Sequence, residues 1–465
     1  MEWLSLISNF LWKYVLSALL IFVGLFFTVR LKFFQIRHFG HILNQTAGQI
    51  FKKDKQKGSI TPFQAFTSSL ASTAGATNIV GVPVGIYLGG PGALFWMWII
   101  ALIGMATKYG EIAMGLKYRE KNKEGIWVGG PQYYIRKALG WKRVAFLFAF
   151  ILMLELIPSI MVQSNSITTQ VQGAFGWDRW VTGLIITAIV GVIVFGGIKR
   201  IANVTDKVVP FMVLTYLTIC LIVIGANFTE LPSVFNLIFN HAFTPISATG
   251  GFAGAGFALA LRWGIARGLY SNEAGLGTAP ITHSAAQTDH PSKQAFWGVF
   301  SVFIDTIIIC TVSGLTVLVT GAWTKVDSSE EASNMIDIAL STMYGDTFGG
   351  GFISLFLLFF VLTTIGVLVF FGEKQAEYLY GLKASWIMRF VYIVSIFVGG
   401  IGGLEFVWQF LDLMLAAVVV FNVIPLFFMR KEIIELTDDY FSRVYKGKDT
   451  KPKITLFHDQ DPPSM

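Results

Sequence analysis

The stretch 63–92, FQAFTSSLASTAGATNIVGVPVGIYLGGPG, is long and apolar enough to cross a lipid bilayer, yet its middle, 72–78, consists of small, hydroxylated and amide residues. A simple anchor would carry Leu, Ile and Val there. The pattern predicts a membrane helix that is interrupted half way. An interruption frees backbone N–H and C=O groups that lipid cannot satisfy, so they must face protein, solute or ion. The rest of the chain has to hold and cover that interruption.

Composition fits a membrane setting. Of 465 residues, 54% are hydrophobic and 14% charged, with mean hydropathy +0.63. A soluble chain of this size does not cover so much apolar surface with so few charges. The formal charge of +7 would suit nucleic acid, but the basic residues cluster beside apolar runs, which places them at a membrane surface. Cys220 and Cys310 lie inside apolar runs and read as free thiols packed like small hydrophobes. The sequence has no P-loop, no HExxH and no Cys/His metal cluster, so nothing points to an enzyme.

About 20 apolar residues span a hydrocarbon core of about 30 Å. Eleven such runs occur, near 11–29, 63–87, 93–115, 145–165, 180–198, 208–226, 247–268, 295–320, 351–371, 386–403 and 405–429. The expected fold is an all-α polytopic membrane protein with eleven transmembrane helices. With the N-terminus outside, the cytoplasmic segments 30–58, 117–143, 199–207, 262–293, 373–389 and 430–465 hold 31 of the 35 Lys and Arg residues, and the outer side holds Lys13, Arg179 and Lys325. Glu2 before the first run, with Arg30, Lys32 and Arg37 after it, opposes the polarity of a secretory signal, so that run is expected to be a retained helix. The chain divides into an extra helix and basic loop (1–60), a transporter core (61–430) and a cytoplasmic tail (431–465). No nucleic acid and no obligatory protein partner is expected.

A second span is unusual. Residues 245–264, PISATGGFAGAGFALALRWG, crowd Gly250, Gly251, Gly254 and Gly256 into one stretch at membrane depth. Five spans begin with 63–87 and five with 247–268, and the two sets start from opposite sides. Two inverted units, 61–228 and 245–430, each opening with an interrupted helix, are the layout of an inverted-repeat carrier.

In the first interruption, Thr73, Gly75, Ala76, Thr77 and Asn78 are the sharpest candidates for contact with a solute. Small residues let a ligand approach the main chain; restarting amides suit a carboxylate, and unwound carbonyls suit Na⁺. Tight helix packing is the competing reading, and it suits Gly81, Gly85 and Gly89 at four-residue spacing. Gly251, Phe252 and Gly254 are candidates in the second span, with packing equally open. Thr363 and Thr364 lie mid-span as ligands for a hard cation, or as hydroxyls bonded one turn back. Gln163 either lines the solute path or bonds between helices. Glu155, Asp305 and Asp412 sit at membrane depth, where an ionisable group is functional by default, and Glu155 is a candidate proton carrier. Lys108 and Glu111 read as a snorkelling pair at the inner interface.

The blocks LGGPGALFWMWIIALIGMATKYGE (88–111), GGPQYYI (129–135), WGIARGLYSNEAGLGTAPI (263–281), DTIIICT (305–311), TGAW (320–323) and GEKQAEYLYG (372–381) resemble the alanine/glycine:cation symporters, carriers with a LeuT-type five-plus-five core. The resemblance covers roughly residues 60–430. It implies a cation-coupled symporter, with Na⁺ as coupling ion, importing a small neutral amino acid such as alanine or glycine across the inner membrane of a prokaryote. It places the solute carboxylate against Gly75, Ala76 and Thr77, the second break near 250–256, and Gln163 in the pocket. It implies Na⁺ between Thr363, Thr364 and the carbonyls of Ala71 and Ala74. Three stretches depart from the family. Its usual Gly-Thr-Gly-Asn is GATN at 75–78, its glycine-bearing stretch before the Gln is LIPSI at 156–160, and its Ser-Trp after the threonines is missing from GVLVFF at 366–371. The alternatives are a proton-coupled carrier of another small zwitterion, working through Glu155, and a membrane sensor that binds an amino acid without moving it.

Overall fold

An apolar run in lipid must close its backbone hydrogen bonds within itself, and in the computed structural model the long runs do so as helices. The structure describes residues 7, 10–50, 59–75, 77–243, 256–402 and 405–447. In chain order the helices that matter here are α1 (Ser17–Arg30), α2 (Pro62–Thr73), α3 (Val82–Gly89), α4 (Ala93–Lys117), α5 (Lys142–Phe175), α6 (Arg179–Val194), α7 (Gly197–Ala226), α8 (Phe257–Asn272), α9 (Ala279–His283), α10 (Pro291–Val302), α11 (Thr311–Val319), α12 (Asp346–Tyr380), α13 (Leu382–Ile401), α14 (Glu405–Phe428) and α15 (Arg430–Asp439). A wider helical turn, Phe303–Cys310, joins α10 to α11 in one rod. Among the described residues, the strands are a ribbon of Glu120–Lys121 against Trp127–Val128.

Among the described residues, seven helices are each long and apolar enough to cross a bilayer: α4, α5, α7, the α10–α11 rod, α12, α13 and α14. The runs 11–29, 63–87, 180–198 and 247–268 do not reach that length as single helices among the described residues. Two of them are divided, and five helical units follow from each division point: α2/α3 to α7, and α8/α9 to α14.

The order of packing positions the site. α5 lies against α12, α13 and α14, and α12 also touches α2. On the other side α4 carries α8 and α10, with α1 behind it. Small residues permit the close contacts. A Cβ on Gly264 would come within 2.5 Å of the Ala93 carbonyl oxygen, and one on Gly85 within 2.9 Å of Met97. The α3 glycines at 85 and 89 therefore serve packing, against α4 and α8.

Two expectations need revision. Arg262 and Arg267 lie inside α8 beside Trp263, because the helix continues to Asn272, so neither belongs to a cytoplasmic loop. The start of the segment set aside as a tail is α15, whose Ile433 and Leu436 are buried against the bundle. The Gly251, Phe252 and Gly254 candidates lie outside the described residues, as does Ala76.

Candidate functional site: two helix breaks around a buried cavity

α2 starts sharply. Thr61 caps it by accepting the Gln64 amide at 3.1 Å, the Gln64 side chain accepts the Thr61 amide at 3.1 Å, and Pro62 takes the first helical position. The helix then stops in the bilayer. Ala74 turns out of helical geometry with ψ 88°, and helical turns resume only at Thr77. Asn78 braces the gap. Its Oδ1 accepts the Gly75 amide at 3.1 Å, and its Nδ2 donates to Asp305 Oδ1 at 2.8 Å and Ser271 Oγ at 3.2 Å. Asp305 also accepts from Ser271 Oγ at 2.6 Å and Thr306 Oγ1 at 2.8 Å. This fully buried carboxylate thus ties the first break to α8 and to the α10–α11 rod.

A second break among the described residues lies at 273–278, after α8; the glycine-rich stretch where a break was expected lies outside the described residues up to 255. Here the chain adopts positive φ at Glu273 (55°), Gly275 (104°) and Gly277 (75°), a region that favours glycine at the last two positions. Its free backbone groups are met by buried side chains. Lys108 Nζ donates to the Asn272 carbonyl at 2.7 Å, and Glu111 Oε1 accepts the Gly277 amide at 3.1 Å. Asn422 Nδ2 donates to the Gly275 carbonyl at 2.8 Å and also to Glu111, and its oxygen accepts from Tyr134. Lys108 and Glu111 are both fully buried, so they are not a snorkelling pair at the interface; the unsatisfied backbone of the break draws them inward.

The two breaks meet directly. Glu273 Oε2 accepts from Ser72 Oγ of α2 at 3.2 Å and from Thr278 Oγ1 at 2.6 Å. Beside this junction is a cavity of about 40 Å³, room for on the order of three waters at roughly 10–15 Å³ each. The breaks and α8 contribute Ser72, Thr77, Tyr270, Glu273, Leu276 and Thr278. α5 contributes Leu152, Glu155, Leu156, Ser159 and Gln163, α12 contributes Thr364 and Leu368, and α14 contributes Leu415 and Val418.

The predicted residues are distributed unevenly around this cavity. Thr77, Gln163 and Thr364 line it, and the Gln163 Oε1 is buried without a protein partner. Thr364 Oγ1 donates to the Ala71 carbonyl at 2.7 Å and would lie 3.2 Å from a Cβ on Gly75. Thr363 turns back on its own helix, donating to Phe359 and Phe360 carbonyls at 3.0 Å each. Thr73 does likewise, to the Leu70 carbonyl at 3.1 Å. Neither Thr73 nor Asn78 is among the lining residues. Ser72, Ser159, Tyr270, Glu273 and Thr278 were not singled out from sequence. The signal for the last three was present, since the polar run SNE interrupts an apolar helix just before two glycines.

Two interrupted helices enclosing a polar cavity within an all-helical, multi-pass bundle define a membrane carrier of the inverted-repeat, LeuT-like class. The solved structure of MhsT in complex with L-phenylalanine shares this fold with a TM-score of 0.59 at 11% identity, over 84% of this chain and 92% of that one. Residues 1–454 match the pattern of the sodium:alanine symporter family, and the chain belongs to that family of transporters. The transporter YflA of Bacillus subtilis is 47% identical over 450 residues, covering 97% of this chain and 95% of the relative. The sodium/alanine symporter AgcS of Methanococcus maripaludis is 35% identical, covering 94% and 97%.

Proposed function

We propose that this protein is a Na⁺-coupled symporter that imports a small neutral amino acid across the cytoplasmic membrane, with its N-terminus outside and its C-terminus in the cytoplasm. The observation that carries the reading is the contact between Thr364 and Ala71 at the edge of the cavity. It puts a hydroxyl oxygen and an unwinding helix's carbonyl oxygen side by side, one turn from the first break. With Na⁺ between them both oxygens act as acceptors, and the Thr364 proton turns away. The carbonyl of Ala74 is the natural third oxygen, because the helix has ended there. Thr363 would have to give up its bonds within α12 to join the set. The solute carboxylate lies against the restarting turn at Thr77, where amides and the helix dipole favour an anion. Na⁺ and solute then order the same break, and each raises affinity for the other by the same factor.

The test is uptake in proteoliposomes of labelled glycine, L-alanine, D-alanine and serine, under a Na⁺ gradient and then under a proton gradient. Na⁺-driven accumulation of one of them is expected, and Thr364→Val should lower the Na⁺ dependence by tenfold or more. Unchanged Na⁺ dependence in that variant would remove the ion from this place. A proton-coupled reading draws on Glu155, a carboxylate at the cavity wall. It predicts accumulation under the proton gradient alone.

A further inference from the structure

The cavity holds two carboxylates with different surroundings. Glu273 stands at the junction of the breaks, clasped by Ser72 and Thr278. Glu155 stands on the opposite wall, among Leu152, Leu156 and Leu415. Glu155, Ser159 and Gln163 recur every four residues on α5 and share one face. Ser159 donates to one oxygen of Glu155. Among the described residues nothing donates to its other oxygen, although the side chain is only 2% exposed. That oxygen belongs to a side chain lining the cavity, where a donor on a solute can take the place of water. The breaks engage the parts common to every amino acid, its carboxylate and ammonium. The wall that carries Glu155 is left to face whatever distinguishes one solute from another.

We propose that Glu155 reads the solute's side chain and selects a small amino acid bearing a hydrogen-bond donor on or next to its Cβ, serine being the simplest case. This rests on the reading of the cavity as an amino-acid site. A carboxyl group in either protonation state accepts hydrogen bonds, so a hydroxyl matches it. A methyl group of the same size leaves it unpaired and buried. Sites built around such a bond reject the analogue lacking the donor far more strongly than apolar pockets reject a size change.

The experiment is competition for Na⁺-driven uptake in proteoliposomes, comparing serine with 2-aminobutyrate, which carries a methyl in place of the hydroxyl. For the wild type, serine should compete at about tenfold to a hundredfold lower concentration. Glu155→Met should bring that ratio to about one, and Glu155→Gln, which keeps an acceptor, should retain part of it. A wild-type ratio near one overturns the proposal, even if Glu155→Met does not fold. So does an unchanged ratio in Glu155→Met, or loss of proton-driven uptake in Glu155→Gln with the ratio intact, which would make Glu155 a proton site. Failure of every amino acid to compete overturns the amino-acid reading itself, whereas competition without preference overturns this proposal alone.

Discussion

The two helix breaks solve the same problem in opposite ways. The first is made of small residues, and its described residues carry no left-handed backbone. Asn78 braces it from within, Thr77 lines the cavity, and Thr364 bonds Ala71 one turn before it. The second is made of left-handed backbone and held from outside by α4, by α14 and by the short helix containing Tyr134. A break without left-handed residues has other geometries within reach; one fixed by left-handed glycines and by buried side chains from other helices has fewer. On the proposed function, the first break is the element for ligands to reshape, and the second is the frame against which it moves.

Adding one methyl group to each break probes that contrast. Gly277→Ala should have the largest effect. It forces a Cβ into left-handed geometry, which costs about 1–2 kcal/mol, and that Cβ would lie 2.4 Å from Pro131 Cγ and 2.9 Å from Asn422 Cγ. Overpacking adds about 1–3 kcal/mol. Melting of the purified protein in detergent should show a large drop or no folded protein; a normal melt would mean the second break is not a rigid frame. Asn78→Leu comes next, on the order of 3 kcal/mol, because the Gly75 amide and an Asp305 oxygen both lose a buried partner. Uptake should fall more than protein yield does. Gly75→Ala should be the mildest. Its backbone is permissive and its Cβ would meet only Thr364 Oγ1, at 3.2 Å. A cost below about 1 kcal/mol would raise the Na⁺ concentration for half-maximal uptake by at most about fivefold, with melting unchanged. If Gly75→Ala and Gly277→Ala destabilise equally, the contrast between the breaks is wrong.

Much of this was legible in the sequence, for identifiable reasons. Apolar length marks a span wherever the span is a single helix, as in α4, α7 and α12. Small polar residues in the middle of a span marked the first break. The glycine cluster 250–256, where a break was expected, lies outside the described residues up to 255, and the break at 273–278 was not expected. Its signal was different in kind: Asn272 and Glu273 are polar residues that only make sense with partners, and those partners, Thr306 and Ser72, lie elsewhere in the chain. No local pattern reveals that Thr363 bonds within its own helix while Thr364 reaches across to Ala71, since the two hydroxyls differ only in which face of α12 they occupy. Lys108 was misread for a related reason. A cation in an apolar helix usually reaches for the interface, and only the fold shows a carbonyl waiting deep inside.

That lysine also constrains how the protein is made. The carbonyl it needs belongs to Asn272, 164 residues later in the chain, and the amide that completes Glu111 comes from Asn422, 311 residues later. A lysine near the centre of a membrane helix costs about 2.5–3.5 kcal/mol on insertion, and α4 is the least apolar of the seven long helices. At roughly 5–20 residues per second of synthesis, the ribosome needs roughly ten to thirty seconds to supply the first partner and longer for the second. Throughout that time α4 has to be sheltered by the insertion machinery or held at the membrane edge. Glu111 gains its Asn422 partner only once α14 has been made, and until then the centre of the protein is incomplete.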